Sequence, residues 1–252
     1  MQKVYNIYFS PTGSSKKVGE RIADTLSEAV ETIDLCKQNI EKVEIDKENL
    51  CVISVPCYGG RVPKTAAKRL QRIHAQGAFA IVCVTFGNRA FEDALVELAD
   101  ICEKNGFQII AGAAAVTEHN IMHVYGTGRP DEMDERDIVA FTKMIEMKMN
   151  QKDYSKPKLQ GNHPYKEYAV KTTKVLLDKE TCTNCGTCAK QCPVGAISLE
   201  GEETNTQQCI NCMRCIQICP TKSRKLPEEF VNGLIEKLRP VCEEQKMNEF
   251  FI

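Results

Sequence analysis

The chain is 252 residues long, 42% apolar and 27% charged. That is the ordinary globular range, and it excludes a collagen repeat, a disordered tract and a membrane bundle. Lys and Arg number 33 against 34 Asp and Glu, a net charge of −1, so there is no global electrostatic case for nucleic acid or an anionic membrane. Fourteen cysteines stand in a chain without Trp. No run of about 18 apolar residues suggests a membrane span, and Met1–Asn6 lacks the apolar core of a signal peptide, so the expectation is a cytoplasmic protein. Clustered cysteines in such a chain point to metal or redox chemistry rather than disulfides.

In chain order, Val4–Phe9 is a short β-rich run, followed by loop residues Ser10–Ser15. Val18, Ile22 and Leu26 then recur at helical spacing among charged residues, which predicts an amphipathic helix. Further strands are predicted at Thr32–Leu35, Leu50–Val55, Ala80–Phe86 and Gln108–Val116. They are nearly continuous apolar runs, as expected of parallel strands buried on both faces. Helices are predicted between and after them at Lys64–His74, Phe91–Lys104 and Asp134–Asn150. This alternation predicts an α/β fold: a doubly wound, five-stranded parallel sheet of order 2-1-3-4-5, its ligand outside the strand C-termini. The first domain is expected at residues 1–150. Residues 151–174 hold six Lys against two acids and are expected to form a solvated linker pinned by Tyr154, Tyr165 and Tyr168. Residues 175–225 are Cys-rich and too short of large apolar side chains to fold on a core alone, which marks a second, small α+β domain. Residues 226–252 are expected to form a helix opened by Pro227 and ended by Pro240, then a tail.

The strongest signal is a repeat. Cys182-x2-Cys185-x2-Cys188-x3-Cys192-Pro193 recurs as Cys209-x2-Cys212-x2-Cys215-x3-Cys219-Pro220, every position offset by 27 residues, which marks an internal duplication. A [4Fe–4S] cube needs four thiolates from different directions; three Cys at three-residue steps wrap one side, and the fourth must come from elsewhere. Four-cysteine zinc sites usually come as two separated C-x2-C pairs, unlike these triplets followed by Cys-Pro. The segment resembles a bacterial-type two-cluster ferredoxin. In that spacing the fourth Cys of each run serves the other cluster. One ligand set is therefore Cys182, Cys185, Cys188 and Cys219, and the other is Cys209, Cys212, Cys215 and Cys192.

Three loops at strand C-termini form the second constellation. Ser10, Thr12, Gly13, Ser14 and Ser15 place hydroxyls and amides where a helix N-terminus favours an anion, such as a phosphate monoester. The lone Gly13 rules out a G-x-G-x-x-G dinucleotide loop, leaving Asp34 a strand-end residue. Pro56-Cys57-Tyr58-Gly59-Gly60 and Thr85-Phe86-Gly87-Asn88-Arg89 follow the third and fourth strands. Their glycines permit close approach to a planar ligand, Tyr58 offers a ring to stack on it, and Asn88 offers hydrogen bonds to its polar edge. Together the loops resemble flavodoxin, although Pro11 and Ser15 depart from that family's usual phosphate loop. The resemblance implies FMN held at these three loops. The whole chain resembles a flavodoxin–ferredoxin fusion family, as does Glu118-His119-Asn120 with Gly128-Arg129-Pro130-Asp131. His119 and His123 are read as structural, Cys57 as a packing residue, and Cys36, Cys51, Cys83 and Cys102 as core.

FMN with two [4Fe–4S] clusters implies an electron-transfer protein serving external redox partner proteins, with neither a nucleic-acid partner nor a membrane span. The alternatives are an FMN-dependent reductase of a small substrate fed by the clusters, and a redox-sensing module with an empty flavodoxin-like scaffold. Residues 176–225 carry six basic and five acidic side chains, so charge does not identify a docking partner.

Overall fold

The computed structural model describes residues 3–169 and 172–252; residues 1 and 2 of the expected first domain and 170 and 171 of the expected linker lie outside the described residues. The chain begins with β1 (Val4–Tyr8), α1 (Ser14–Leu26) and β2 (Val30–Asp34). The short β3 (Val43–Ile45) precedes β4 (Leu50–Pro56), α2 (Lys64–Leu70) and the short β5 (Ile73–Ala75). Then come β6 (Phe79–Phe86), α3 (Ala94–Lys104), β7 (Gln108–Val116) and α4 (Glu132–Asn150). The central β4 and β6 are buried almost end to end, which explains their unbroken apolar sequences.

The main sheet has the order β10-β7-β6-β4-β1-β2, where β10 is Glu249–Phe251 at the C-terminal end. The five strands other than β10 are parallel and realise the expected 2-1-3-4-5 winding. The sixth strand corrects the five-strand expectation: β10 pairs antiparallel with β7, Phe250 opposite Ala113. Helices α1 and α4 pack together on one face, joining Val18 and Ile22 to Ile138, Phe141 and Ile145. The opposite face is covered by α2 and α3, through Ala66, Leu70, Leu95 and Leu98.

Two predicted helices differ from what forms. The helix predicted to reach His74 stops at Leu70, because Ile73 and its neighbours pair with β3. A β-branched residue at zero exposure gains more from that pairing than from another helical turn. The last helix, α7 (Glu228–Cys242), runs through Pro240 rather than ending there. A proline near a helix end removes one backbone donor, while the Glu243 N–H still bonds the Arg239 carbonyl at 3.0 Å.

Among its described residues, the linker has no regular secondary structure and is held along the first domain. Tyr154 stacks on Phe79 at 4.3 Å, and Asp93 accepts the Asn162 and Lys166 N–H groups at 2.9 and 2.7 Å. Beyond it lie β8 (Leu176–Leu177), α5 (Thr187–Lys190), α6 (Arg214–Gln217) and β9 (Arg224–Lys225), with β8 and β9 antiparallel. The two short helices stand 27 residues apart, as the repeat requires.

Candidate flavin and cluster sites

The eight repeat cysteines divide into two groups around two small cavities. Cys182, Cys185, Cys188 and Cys219 line one; Cys192, Cys209, Cys212 and Cys215 line the other. Each cavity thus takes three cysteines from one run and the last from the other. Among the described residues, no group of three or more His, Cys, Asp or Glu has the spacing to hold a single metal ion. Four cysteines lining each small cavity supply the four thiolates that a cubane cluster needs.

The two cavities differ in burial. In the first, Cys185 is exposed, and a hydrogen bond with Thr187 lowers its pKa below the ordinary thiol value. In the second, Cys192 and Cys212 are buried, and desolvation pushes Cys212 up to about 12 and Cys215 up to about 11. Arg224 is an unforeseen resident. It is 2% exposed and lines the first cavity, its positive charge favours the thiolates of Cys209 and Cys215, and its Nε has no partner among the described residues. A buried guanidinium between two sets of thiolates offsets the negative charge that clusters bring. No spacing in the sequence signals it.

The phosphate loop keeps its predicted place between β1 and α1. Gly13, at φ 93°, turns the chain into the helix, and a Cβ there would meet nothing within 4 Å. Gly13 at the N-cap of α1 brings no capping side chain, leaving the Ser14 and Ser15 N–H groups for an anion. Two of the hydroxyls serve the fold instead: Ser10 Oγ accepts the Lys16 N–H at 3.0 Å, and Ser15 Oγ bonds Thr85 Oγ1 at 2.7 Å. Thr12 and Ser14 line an open cavity of about 750 Å³, within the size range of small-molecule pockets. This end of the loop fits the phosphate of FMN.

The other two loops are occupied differently from expectation. Asn88 is buried, and its amide holds the C-terminal segment: Nδ2 donates to the Cys242 and Glu244 carbonyls at 2.7 and 3.1 Å, and Oδ1 accepts the Lys246 N–H at 2.9 Å. This corrects the role expected of Asn88, because the tail satisfies the groups that would have met a ring edge. A Cβ on Gly87 would come within 2.6 Å of His119 Cδ2, and one on Gly60 would collide with the Glu92 carboxylate. Burial raises the Tyr58 phenol well above its ordinary value, with Cys212 and Cys36 among its neighbours. Arg89 pairs with Glu92 at 2.7 Å. The Cys57 thiol is pushed up to about 12 by burial and donates to the Ala90 and Phe91 carbonyls. Pro56 ends β4, Gly59 sits in the Tyr58–Arg61 turn, and Phe86 packs against Phe91 at 5.5 Å.

The loop after β7 acquires a clear role. Glu118 accepts the Gly128 N–H at 2.9 Å and bonds His123 at 2.6 Å. Asp131 caps α4 by a reciprocal box with Asp134, and Arg129 pairs with the buried Asp134. These bonds present Asn120 and Ile121 to the 750 Å³ cavity. Across it stand Met213, Ile216, Leu226 and Val231 from the C-terminal part. The sequence did not single out these lining residues, because they meet only in three dimensions.

The flavodoxin family model matches residues 7–142, and the 4Fe-4S dicluster domain matches residues 174–220. No curated protein matches the chain. Among solved structures, the chain is similar to rubredoxin oxygen:oxidoreductase from the anaerobe Desulfovibrio gigas, at 16% identity and a TM-score of 0.44 over 60% of this chain. It spans 37% of the length of that oxidoreductase. It is also similar to flavodoxin 2 from Bacillus cereus (16% identity, TM-score 0.41, 58% of this chain and 99% of that one). A Fusobacterium nucleatum flavodoxin bound to flavin mononucleotide gives 16% identity and a TM-score of 0.40, covering 59% of this chain and 99% of that one. Among the described residues, no helix is long and apolar enough to cross a membrane. The flavodoxin domain implies FMN as cofactor, and the dicluster domain implies two [4Fe–4S] clusters. The chain belongs to the flavodoxin family, with an N-terminal flavodoxin domain joined to a C-terminal 4Fe-4S dicluster domain.

Proposed function

We propose that the chain is an electron-transfer protein that passes electrons between FMN and two [4Fe–4S] clusters and exchanges them with external redox proteins. When bound, FMN supplies a two-electron couple and each cluster a one-electron couple, so one polypeptide joins the two kinds of chemistry. Cys182, Cys185, Cys188 and Cys219 hold the exposed cluster, and Cys192, Cys209, Cys212 and Cys215 hold the buried one. Thr12, Ser14 and the N–H groups at the start of α1 hold the FMN phosphate.

The observation that carries this reading is the grouping of the cysteines, four around each cavity in the crossed pattern. The exposed Cys185 favours the first cluster as the point where a partner delivers or takes an electron. The test is paired substitution. Anaerobic purification should give about eight iron atoms per chain, as two four-iron clusters require. Cys192→Ser combined with Cys212→Ser should remove one cluster and leave about four; Cys192→Ser combined with Cys188→Ser should remove both. The reverse pattern refutes the crossed assignment. Quinone reduction no faster than with free FMN agrees with a carrier, whereas faster turnover makes the protein a reductase.

A further inference from the structure

The duplication is broken at one informative position. Gly186 and Met213 are equivalent under the offset of 27 residues, and both adopt left-handed backbone, at φ 69° and 64°. Glycine enters that region freely, whereas a residue with a Cβ is strained there. Met213 carries that strain, is 5% exposed, and lines both the second cysteine cavity and the 750 Å³ cavity. It therefore forms a wall shared by a cluster site and the space into which the phosphate loop opens. The loops expected to clasp a flavin ring are filled by the protein's own groups. The tail saturates Asn88, His119 lies against Gly87, and Glu92 fills the space above Gly60.

We propose that the flavin ring lies in the cavity between the phosphate loop and the dicluster domain, against Met213 and Ile216, rather than between the Tyr58 and Asn88 loops. This rests on the reading that Thr12 and Ser14 hold the phosphate of FMN. The cavity has the apolar walls that a planar ring requires, in Ile121, Met213, Ile216, Leu226 and Val231, and polar groups in Asn120 and Gln217. Left-handed methionine has a reason here: its flexible, polarizable side chain fills the partition between ring and cluster, which glycine leaves open.

The test is FMN affinity, read anaerobically as quenching of FMN fluorescence on titration into the cluster-loaded apoflavoprotein. Ile216→Trp fills the cavity and should weaken binding at least tenfold. Met213→Gly restores the residue of the first repeat and relieves the backbone, so iron content should stay at the wild-type value while FMN binding weakens severalfold. Iron content and circular dichroism of both variants report folding separately. Wild-type affinity in both variants, with loss of FMN in Tyr58→Ala, overturns the proposed ring position. Failure of the wild-type protein itself to take up FMN overturns the underlying flavin reading instead.

Discussion

His119 shows how one side chain ties the loop after β7 to pH. Its Nδ1 accepts the Ile121 and Met122 N–H groups, both at 3.1 Å, which places the proton of the neutral ring on Nε2. Burial, with the nearby charges of His123 and Arg89, pushes its pKa down to about 4 from an ordinary 6.5. Between those values the unfolded chain binds a proton that the folded chain refuses, so this contribution to stability falls as pH drops from 6.5 toward 4. The slope approaches about 1.4 kcal/mol per pH unit. His119→Asn retains an acceptor but not the titration. Denaturant unfolding at pH 6.5 and 5 should show wild type losing about 1.5 kcal/mol more than the variant; equal losses contradict the assignment. At this scale the cysteines were legible in the sequence because cluster ligation demands a fixed spacing. Arg224 and Met213 were not, since their importance lies in what surrounds them.

Among the elements, the inner strands of the sheet were legible because burial on both faces writes itself as a continuous apolar run. The sixth strand was not: Glu249–Phe251 is three residues long, and only the exposed edge of β7 makes a strand of it. The tail does several things at once. Phe250 stacks on Phe141 at 4.6 Å, Asn248 Oδ1 accepts the Val116 N–H at 2.8 Å, and Asn248 Nδ2 donates to Asp134 at 2.8 Å. Phe250→Ala removes the aromatic contact and opens a partly buried gap, for which a loss of about 2–3 kcal/mol is expected. The check is the denaturant midpoint at constant slope; a change below about 0.5 kcal/mol contradicts a structural role for the strand. The α7 helix was legible as amphipathic, but its partners were not. It packs on Met122 and Tyr125 of the first domain and on Val175, Met213 and Leu226 near the second.

Across the whole molecule, the two family domains meet at the phosphate-loop candidate and the buried cysteine set. Gln217 donates to the Thr12 carbonyl of the phosphate loop at 3.0 Å, and Gln38 donates to the Cys192 carbonyl at 2.9 Å. Arg69 reaches the Pro193 carbonyl. These bonds fasten the buried cysteine set beside the phosphate loop and leave the set containing Cys185 facing outward. Under the proposed electron-transfer function, this arrangement would put entry or exit at the exposed cysteine set, the buried set in the middle and the flavin at the inner end. The two-domain composition was legible from motifs, whereas the cavity between the domains arises from tertiary packing of residues far apart in sequence. The most direct measurement is an anaerobic reductive titration of the fully loaded protein, followed by flavin absorbance and by electron paramagnetic resonance of the clusters. Two electrons for FMN and one for each cluster predict uptake of about four electrons per chain. Uptake limited to two, with no paramagnetic iron–sulfur signal, would contradict a flavin and two clusters working in one polypeptide.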